Sequence, residues 1–332
     1  GADHGWVVTV ESQASVKSTA TISYTAPAIT SVVKTGGAGT LATAGTDTVD
    51  IGGTNFGPTC TGCITATYGV NAGGTNYPAV GTLSCDVVTA NTAILCSTAA
   101  GVGINHGWVV TLESQASAKS TATISYTAPA ITSVVKTGGA GTLATNGTDT
   151  VDIGGTNFGP LCTGCVTVTY GGNVGGTNYP TVGTITCNVV TADTALLCNT
   201  VAGVGASHGW VMTIGSQTSG AKSSAVTSYA RPAITFLAGS LSNTAGGTEI
   251  TLTGTSFGPA SHSEASATYG PSSTPNLYSV TSCTVDSDTQ MRCNTVAGKG
   301  VDLQWTVTVG GQTPSSAYTA EKTSYLPPTI TS

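Results

Sequence analysis

The sequence predicts an all-β protein in which tandem β-sandwich modules of immunoglobulin type form a rod. Composition is the first reason, since only 7% of the 332 residues are charged and 45 are glycine, a balance that favours strands and turns over helices. Repetition is the second, because residues 1–102 return as residues 103–204 with 18 differences. A unit of that length and similarity is a folding module copied in tandem. Short alternating segments separated by turn residues are the third reason.

The motif Ser-Tyr-x-x-Pro marks the limits of the modules, with its tyrosine at Tyr24, Tyr126, Tyr229 and Tyr325. Division at the prolines gives a first, a second and a more diverged third module, at residues 27–128, 129–231 and 232–327. We interpret residues 1–26, the head segment, as the C-terminal part of a preceding module, and residues 328–332 as the start of a following one. The two ends together would not supply the middle of a module, so we expect the chain to be an excerpt of a longer array.

The first module has the pattern of seven short strands. They are expected at residues 28–34, 46–51, 63–68, 82–88, 92–98, 108–112 and 121–126. The glycine-rich stretch Gly52–Pro58 is interpreted as a turn after the second strand. Trp108, Val110 and Leu112 alternate along the sixth strand and therefore share one face.

The motif His-Gly-Trp begins at His4, His106 and His208, and Leu303 takes the histidine position in the third module. We expect its tryptophans to pack in the core or at a module junction. The alternative is a row of exposed rings that binds a repeated ligand. A catalytic histidine would need a nucleophile and an orienting acid nearby, which neither this motif nor His262 offers. We therefore predict no enzyme activity, and no catalytic or cofactor-binding residues.

The cysteines predict a disulfide framework whose connectivity follows from the third module. That module has only Cys283 and Cys293, which must pair with each other. By alignment, the equivalent pairs are Cys85–Cys96 and Cys187–Cys198, which leaves Cys60–Cys63 and Cys162–Cys165. Disulfides at this density are typical of an oxidising compartment, so we expect an extracellular or cell-surface protein.

Two alternatives for the cysteines are a zinc site and a redox-active Cys-x-x-Cys. Zinc ribbons usually close with a second tight Cys-x-x-Cys pair, and a four-ligand cage would not survive the loss of one pair in the third module. The redox alternative lacks the helix start that lowers a thiol pKa. We expect no bound metal, and structural disulfides in every module.

Charge and short motifs exclude several classes of function. A net charge of −6 with nine basic residues argues against nucleic acid and anionic membranes as partners. Aspartates three residues apart, at 47 and 50 and again at 149 and 152, would lie on opposite faces of a strand, so we interpret them as solvated or edge-blunting carboxylates rather than as a calcium site or an acid pair. The glycine loops at 36–39 and 138–141 are interpreted as turns. Asn146 begins a candidate N-glycosylation sequon, and exposed threonine and serine could carry O-glycans.

Several ordered motifs resemble those of IPT/TIG domains. They are the Pro-Ala-Ile-Thr-Ser opening, the Gly-Gly-Thr-Asn-Phe-Gly turn, the cysteine hairpin and the Trp-Val-Val strand that leads to Ser-Tyr-x-x-Pro. The resemblance covers all three modules and implies an immunoglobulin-like fold that acts as a spacer, an adhesion surface or an assembly unit. The third module departs from the pattern by carrying residues 261–264, Ser-His-Ser-Glu, in place of Cys-x-x-Cys.

Two functional hypotheses follow. The first is a structural protein that forms or polymerises into an extracellular fibre, since near-identical neutral repeats extend length by copying. The second is a stalk or binding module of a cell-surface adhesin or receptor, with a surface protein or glycan as ligand. A spacer in a carbohydrate-active enzyme would require a catalytic domain that these residues do not supply.

Overall fold

The computed structural model describes residues 1–70, 80–173, 183–260, 262–280, 283–316 and 318–330. Ser261 and the last two residues, 331–332, lie outside the described residues. Within these ranges the regular secondary structure consists of β-strands. The predicted all-β class is confirmed.

The head segment contains four short strands. They are β1 (His4–Gly5), β2 (Thr9–Val10), β3 (Gln13–Ala14) and β4 (Thr21–Ile22). β1 pairs with β4 and β2 pairs with β3, both antiparallel. Trp6 follows β1 and is 67% exposed.

The strands of the first module belong to one continuous sheet. Its strands are β5 (Ala28–Lys34), β6 (Thr48–Thr54), β7 (Cys60–Val70), β8 (Val80–Thr89), β9 (Ala93–Ser97), β10 (His106–Leu112), β11 (Gln115–Ala116) and β12 (Thr123–Ile124). The order across the sheet is β11-β10-β7-β8-β9-β6-β5, and β12 pairs with β10. β5, at one end of this order, contacts β10 and β12 near the other end, so the sheet encloses the core as a sandwich.

The second module repeats this arrangement. Its strands are β13 (Ala130–Lys136), β14 (Thr150–Thr156), β15 (Cys162–Asn173), β16 (Gly183–Thr191), β17 (Ala195–Asn199), β18 (His208–Ile214), β19 (Gln217–Thr218) and β20 (Val226–Thr227). The sheet order is β13-β14-β17-β16-β15-β18-β19, with β20 on β18.

The third module separates into two sheets. Its strands are β21 (Ala233–Ala238), β22 (Leu241–Ser242), β23 (Glu249–Thr255), β24 (Ala265–Gly270), β25 (Tyr278–Val280), β26 (Cys283–Ser287), β27 (Gln290–Asn294), β28 (Leu303–Val309) and β29 (Tyr318–Tyr325). The sheets have the orders β21-β23-β27-β26 and β22-β29-β28-β24-β25. Two antiparallel sheets of this order, with β22 parallel to the last strand, form an immunoglobulin-type sandwich.

Each module buries a core around a stacked tryptophan and tyrosine. Trp108, Trp210 and Trp305 are fully buried. Their rings lie 4.1, 4.0 and 4.3 Å from those of the tyrosines that face them, Tyr68, Tyr170 and Tyr269. Stacking of this kind adds stabilisation beyond the burial of area. The prediction that the His-Gly-Trp tryptophans pack in the core or at a junction is confirmed for Trp108 and Trp210, whereas Trp6 of the head segment is 67% exposed.

The second strand of the first module extends further than the sequence indicates. β6 continues through Gly52 and Gly53, and the turn begins only at Asn55, which has a φ of 63°. The two glycines lie in a strand because the backbone is crowded there. A Cβ on Gly53 would collide with the Ala28 carbonyl oxygen and the Phe56 ring. Glycine is therefore needed at position 53 because other groups approach the backbone closely, and not because the chain turns there.

Candidate functional site: the module junction

A hydrogen-bonded pair of tyrosines fixes the loop between β9 and β10 of the first module and the equivalent loops of the other two. The Tyr126 hydroxyl donates to the Ala99 carbonyl at 2.6 Å, and the Ala99 amide donates to the Tyr68 hydroxyl at 2.9 Å. The two hydroxyl oxygens lie 2.6 Å apart. Burial raises the pKa of Tyr126, so its hydroxyl remains a donor. The equivalent contacts join Tyr170, Tyr229 and Val201, and then Tyr269, Tyr325 and Val296.

From this fixed loop a valine side chain enters the next module. Val102 lies in this loop of the first module, yet its side chain packs in the core cluster of the second. Val204 packs in the core cluster of the third module in the same way. Both are at most 9% exposed. Each junction therefore buries an apolar side chain that one module supplies to another.

A glutamine side chain clamps the junction from the opposite direction. Gln217, in the β18–β19 hairpin of the second module, donates from Nε2 to the Tyr126 carbonyl at 2.7 Å. Its Oε1 accepts the Gly103 amide at 3.0 Å. Gln312 donates to the Tyr229 carbonyl at 3.2 Å, and Gln115 donates to the Tyr24 carbonyl at 2.7 Å. Buried amide groups satisfied in this way fix the register of the contact.

Glycine allows the backbones of two modules to approach closely. A Cβ on Gly215 would lie 2.5 Å from the Gly103 Cα, and one on Gly310 would lie 2.8 Å from the Gly205 Cα. Gly215 and Gly310 also have positive φ angles, of 57° and 54°. Both junctions of complete modules therefore use equivalent valine and glycine contacts and an equivalent hydrogen bond from glutamine to a tyrosine carbonyl.

A buried histidine supports each junction segment. His106 is 2% exposed, and its Nε2 donates to the Val102 carbonyl at 3.1 Å. His208 is fully buried and donates to the Val204 carbonyl at 3.0 Å. Burial lowers the pKa of both imidazoles below the ordinary value.

The structure places all ten cysteines in the five predicted pairs. Cys85–Cys96 and its two equivalents cross-link the β8–β9 type hairpin inside the core, with Cα atoms 4.5 Å apart. Cys60–Cys63 lies elsewhere, because it spans a bulge within β7 rather than a loop before the strand. The Asp86 carboxylate caps this bulge by accepting the Gly62 amide at 2.7 Å.

In the third module His262 braces the segment that lacks the Cys-x-x-Cys pair. Its Nε2 donates to the Phe257 carbonyl at 2.7 Å, and its Nδ1 accepts the Glu264 amide at 3.2 Å. Both ring nitrogens are therefore engaged in holding the chain just before β24. The sequence gave no indication of this role, apart from the position of His262 in the segment that replaces Cys-x-x-Cys.

Asp47 has a structural role that the strand pattern did not indicate. It precedes β6, accepts the Ala42 amide at 2.6 Å and pairs with Lys34 at 3.0 Å. The Ala42 hydrogen bond, together with Lys34, holds the pKa of Asp47 below its usual value. Burial alone would raise the pKa of Asp149, but the same two kinds of contact outweigh it. The interpretation as solvated is wrong for Asp47 and Asp149, each of which ties a turn to the first strand of its module. Asp50 and Asp152 are exposed, as that interpretation expects.

The remaining sequence candidates lie on the surface. The glycine loops at 36–39 and 138–141 are exposed turns. Asn146 is exposed in a turn, where its side-chain oxygen accepts the Thr148 hydroxyl at 2.9 Å. No group of histidine, cysteine, aspartate or glutamate side chains suited to a metal occurs among the described residues.

Removal of the two kinds of disulfide should have unequal effects. In the chain-entropy model the hairpin disulfide stabilises by about 3 kcal/mol and the four-residue disulfide by about 2 kcal/mol. Cys187 and Cys198 are also buried in the core, so Cys187→Ala with Cys198→Ala should lower the stability of the second module more than Cys162→Ala with Cys165→Ala. Hydrogen exchange of the second module measures both. An equal loss in the two double variants would contradict the assignment.

A family model supplies the identity of the fold. The model described as IPT/TIG domain matches residues 237–321. The third module is an IPT/TIG domain. The first and second modules share its tyrosine pair, its tryptophan stack and its hairpin disulfide, so all three modules have the same kind of fold. A comparison with curated protein sequences finds no match.

The chain is also similar, at low identity, to several solved multidomain structures. The plexin A4 extracellular region is 15% identical over 84% of this chain and 32% of that chain, with a TM-score of 0.26. The Escherichia coli adhesin FdeC is 11% identical over 92% of this chain and 100% of that one, with a TM-score of 0.24. The chicken CNTN1 FN1–FN3 domains are 9% identical over 90% and 98%, with a TM-score of 0.26.

IPT/TIG and immunoglobulin-like modules are non-enzymatic domain types that serve structural or binding roles. The five disulfides place this chain outside the cell or on its surface, because such bonds persist in oxidising compartments. Among the described residues, no helix has the length and apolarity to span a membrane.

Proposed function

We propose that this chain is a structural segment of an extracellular or cell-surface fibre, in which stacked IPT/TIG modules act as a stiff rod and copies associate with one another. The observation that carries the proposal is the recurrence of one junction. Val102 and Val204 pack into the core of the following module, and Gln217 and Gln312 each donate to the equivalent tyrosine carbonyl, at successive junctions. A repeated, buried interface fixes the angle between neighbours, and such stacking is how repeat proteins extend in one dimension.

Cryo-electron microscopy of native material tests the fibre. We expect ordered filaments with helical symmetry, in which contacts between chains bury equivalent surfaces of successive modules. Isolated single rods at every concentration would reject self-association. Strongly bent chains without a constant angle between modules would reject the stiff rod.

The second candidate is a stalk or binding segment of an adhesin or receptor, with a surface protein or glycan as ligand. A cleft of about 390 Å³ favours it. The cleft lies between β21 and the segment before β29, and Arg231 and Tyr318 line it. The aligned position of Arg231 is Ala128 in the first module, so the cleft has a chemical character that the other modules do not share. Occupancy of this cleft in the native material would favour recognition over assembly.

Covalent glycans are a further part of the proposal. Asn146 is exposed, and the equivalent residue of the first module is Ala44, so an N-glycan would mark the second module only. A low-charge surface benefits from such cover, because glycans are bulky and solubilising. Peptide mass spectrometry of the same native material reads out both Asn146 and the O-glycans. If all peptides were unmodified, the glycan proposal would be rejected and the fibre proposal would be unchanged.

A further inference from the structure

The two junction histidines each carry a buried nitrogen without a partner. Nε2 of His106 donates to the Val102 carbonyl, so in the neutral ring Nδ1 is an unprotonated acceptor. Among the described residues, neither His106 nor His208 has a hydrogen-bond partner for Nδ1. A proton on Nδ1 would therefore place a positive charge in a buried site without an acceptor, which is costly.

The surroundings of each ring do not compensate such a charge. The His106 ring lies edge-on to Tyr68 and Tyr126, with ring centres 5.9 and 5.3 Å apart, and the nearby charge is that of Lys119. The His208 ring lies edge-on to Tyr170 and Tyr229, at 6.4 and 5.4 Å, near Lys222. Within the described part of the chain, no carboxylate forms an ion pair with either ring.

A charge on the His106 ring would affect two modules, because the ring lies where they meet. His106 holds the carbonyl of Val102, whose side chain lies in the core of the second module. A Cβ on the adjacent Gly103 would lie 3.2 Å from the His106 Nε2 and 3.1 Å from the Gly215 carbonyl oxygen. The segment is therefore enclosed between the histidine of one module and the hairpin of the next. Rotation of a charged ring toward solvent would remove the support of Val102.

We propose that protonation of His106 and His208 under mildly acidic conditions releases the module junctions, so that the rod becomes flexible while its modules stay folded. This inference rests on the proposed rod. Its sign follows from burial, which holds the imidazole pKa of the docked state below the ordinary value of about 6.5. The stabilisation of the docked state is complete above that ordinary pKa. It is lost as the pH falls from about 6.5 toward the lower pKa of the docked ring.

The third module provides a natural leucine at this position. Leu303 aligns with His106 and His208 and is 1% exposed. Leucine is therefore accommodated in this fold at the same place in the strand. The matched variant is His106→Leu with His208→Leu in the full chain.

Small-angle X-ray scattering at pH 7.5 and pH 5.0, at constant ionic strength, tests the inference. We expect the wild-type chain to lose its extended maximum dimension at pH 5.0 while near-ultraviolet circular dichroism keeps its folded signal. The double leucine variant has no titratable ring at these positions, so its maximum dimension should be the same at both pH values. An unchanged wild-type dimension, or an equal loss in the variant, would overturn the inference. A chain already bent at pH 7.5 would instead reject the rod.

A second measurement covers the case in which the leucine variant does not fold. Nuclear magnetic resonance titration of the wild-type protein follows the His106 and His208 imidazoles. Burial should hold the pKa of both rings below the ordinary value of about 6.5, and they should titrate together with the change in dimension. Titration at or above that ordinary value would overturn the inference.

Discussion

Replacement of Trp108 by alanine should lower the stability of the first module by about 3–5 kcal/mol. Trp108 is fully buried and stacks on Tyr68 at 4.1 Å, at the centre of a core that has few aromatic side chains. Domains are usually stable by only about 5–15 kcal/mol, so the loss is a large part of the total. Urea unfolding monitored by hydrogen exchange of first-module peptides measures it.

The head segment provides a matched control for that substitution. Trp6 stands in the same His-Gly-Trp motif but is 67% exposed. Trp6→Ala should leave the stability of the first module within about 0.5 kcal/mol of wild type, as for ordinary surface substitutions. A similar loss in the two variants would show that the motif acts through something other than burial in the core.

Gly215→Val should open the junction between the first and second modules without unfolding either. The new Cβ would lie 2.5 Å from the Gly103 Cα, a distance that the two backbones can relieve only by separating. Separation would also break both hydrogen bonds of Gln217 and expose Val102. Small-angle scattering should show a shorter maximum dimension than in wild type, with normal circular dichroism.

Gly138→Val is the control for backbone strain. Gly138 also has a positive φ, of 92°, but a Cβ there would meet no atom within 4 Å. Valine at either position carries the penalty of a positive φ, so only the junction contact distinguishes the two variants. If Gly138→Val shortened the rod as much as Gly215→Val, local strain would explain the effect and the junction would not.

The sequence was sufficient for the architecture because its signals are local or repeated. Alternation and the Ser-Tyr-x-x-Pro motif located the strands and divided the chain, and the third module limited the cysteine pairing. It was insufficient for the junction. Nothing in the neighbourhood of Gln217 indicates that its amide binds a carbonyl 91 residues away, or that Val102 belongs to the core of another module.

The aspartates and the strand glycines illustrate the same limit. Asp47 was assigned by strand periodicity, but β6 begins after it and a backbone amide determines its role. Gly53 had the pattern of a turn, but its reason lies in the crowding of Ala28 and Phe56. Alternation along the sequence predicts which face of a strand a side chain occupies. It does not predict which atoms from distant parts of the chain the side chain contacts.

The transferred valine gives the array a direction in its synthesis. Val102 precedes the module whose core it completes, and Val204 does the same for the third module. As the polypeptide emerges from its N-terminal side, the second and third modules therefore find this core residue already made and already held in a folded neighbour. Removal of the third module would leave the cores of the first and second filled, whereas removal of the first module would take Val102 from the core of the second. Growth and damage of such a chain are thus asymmetric, although its repeats are nearly identical.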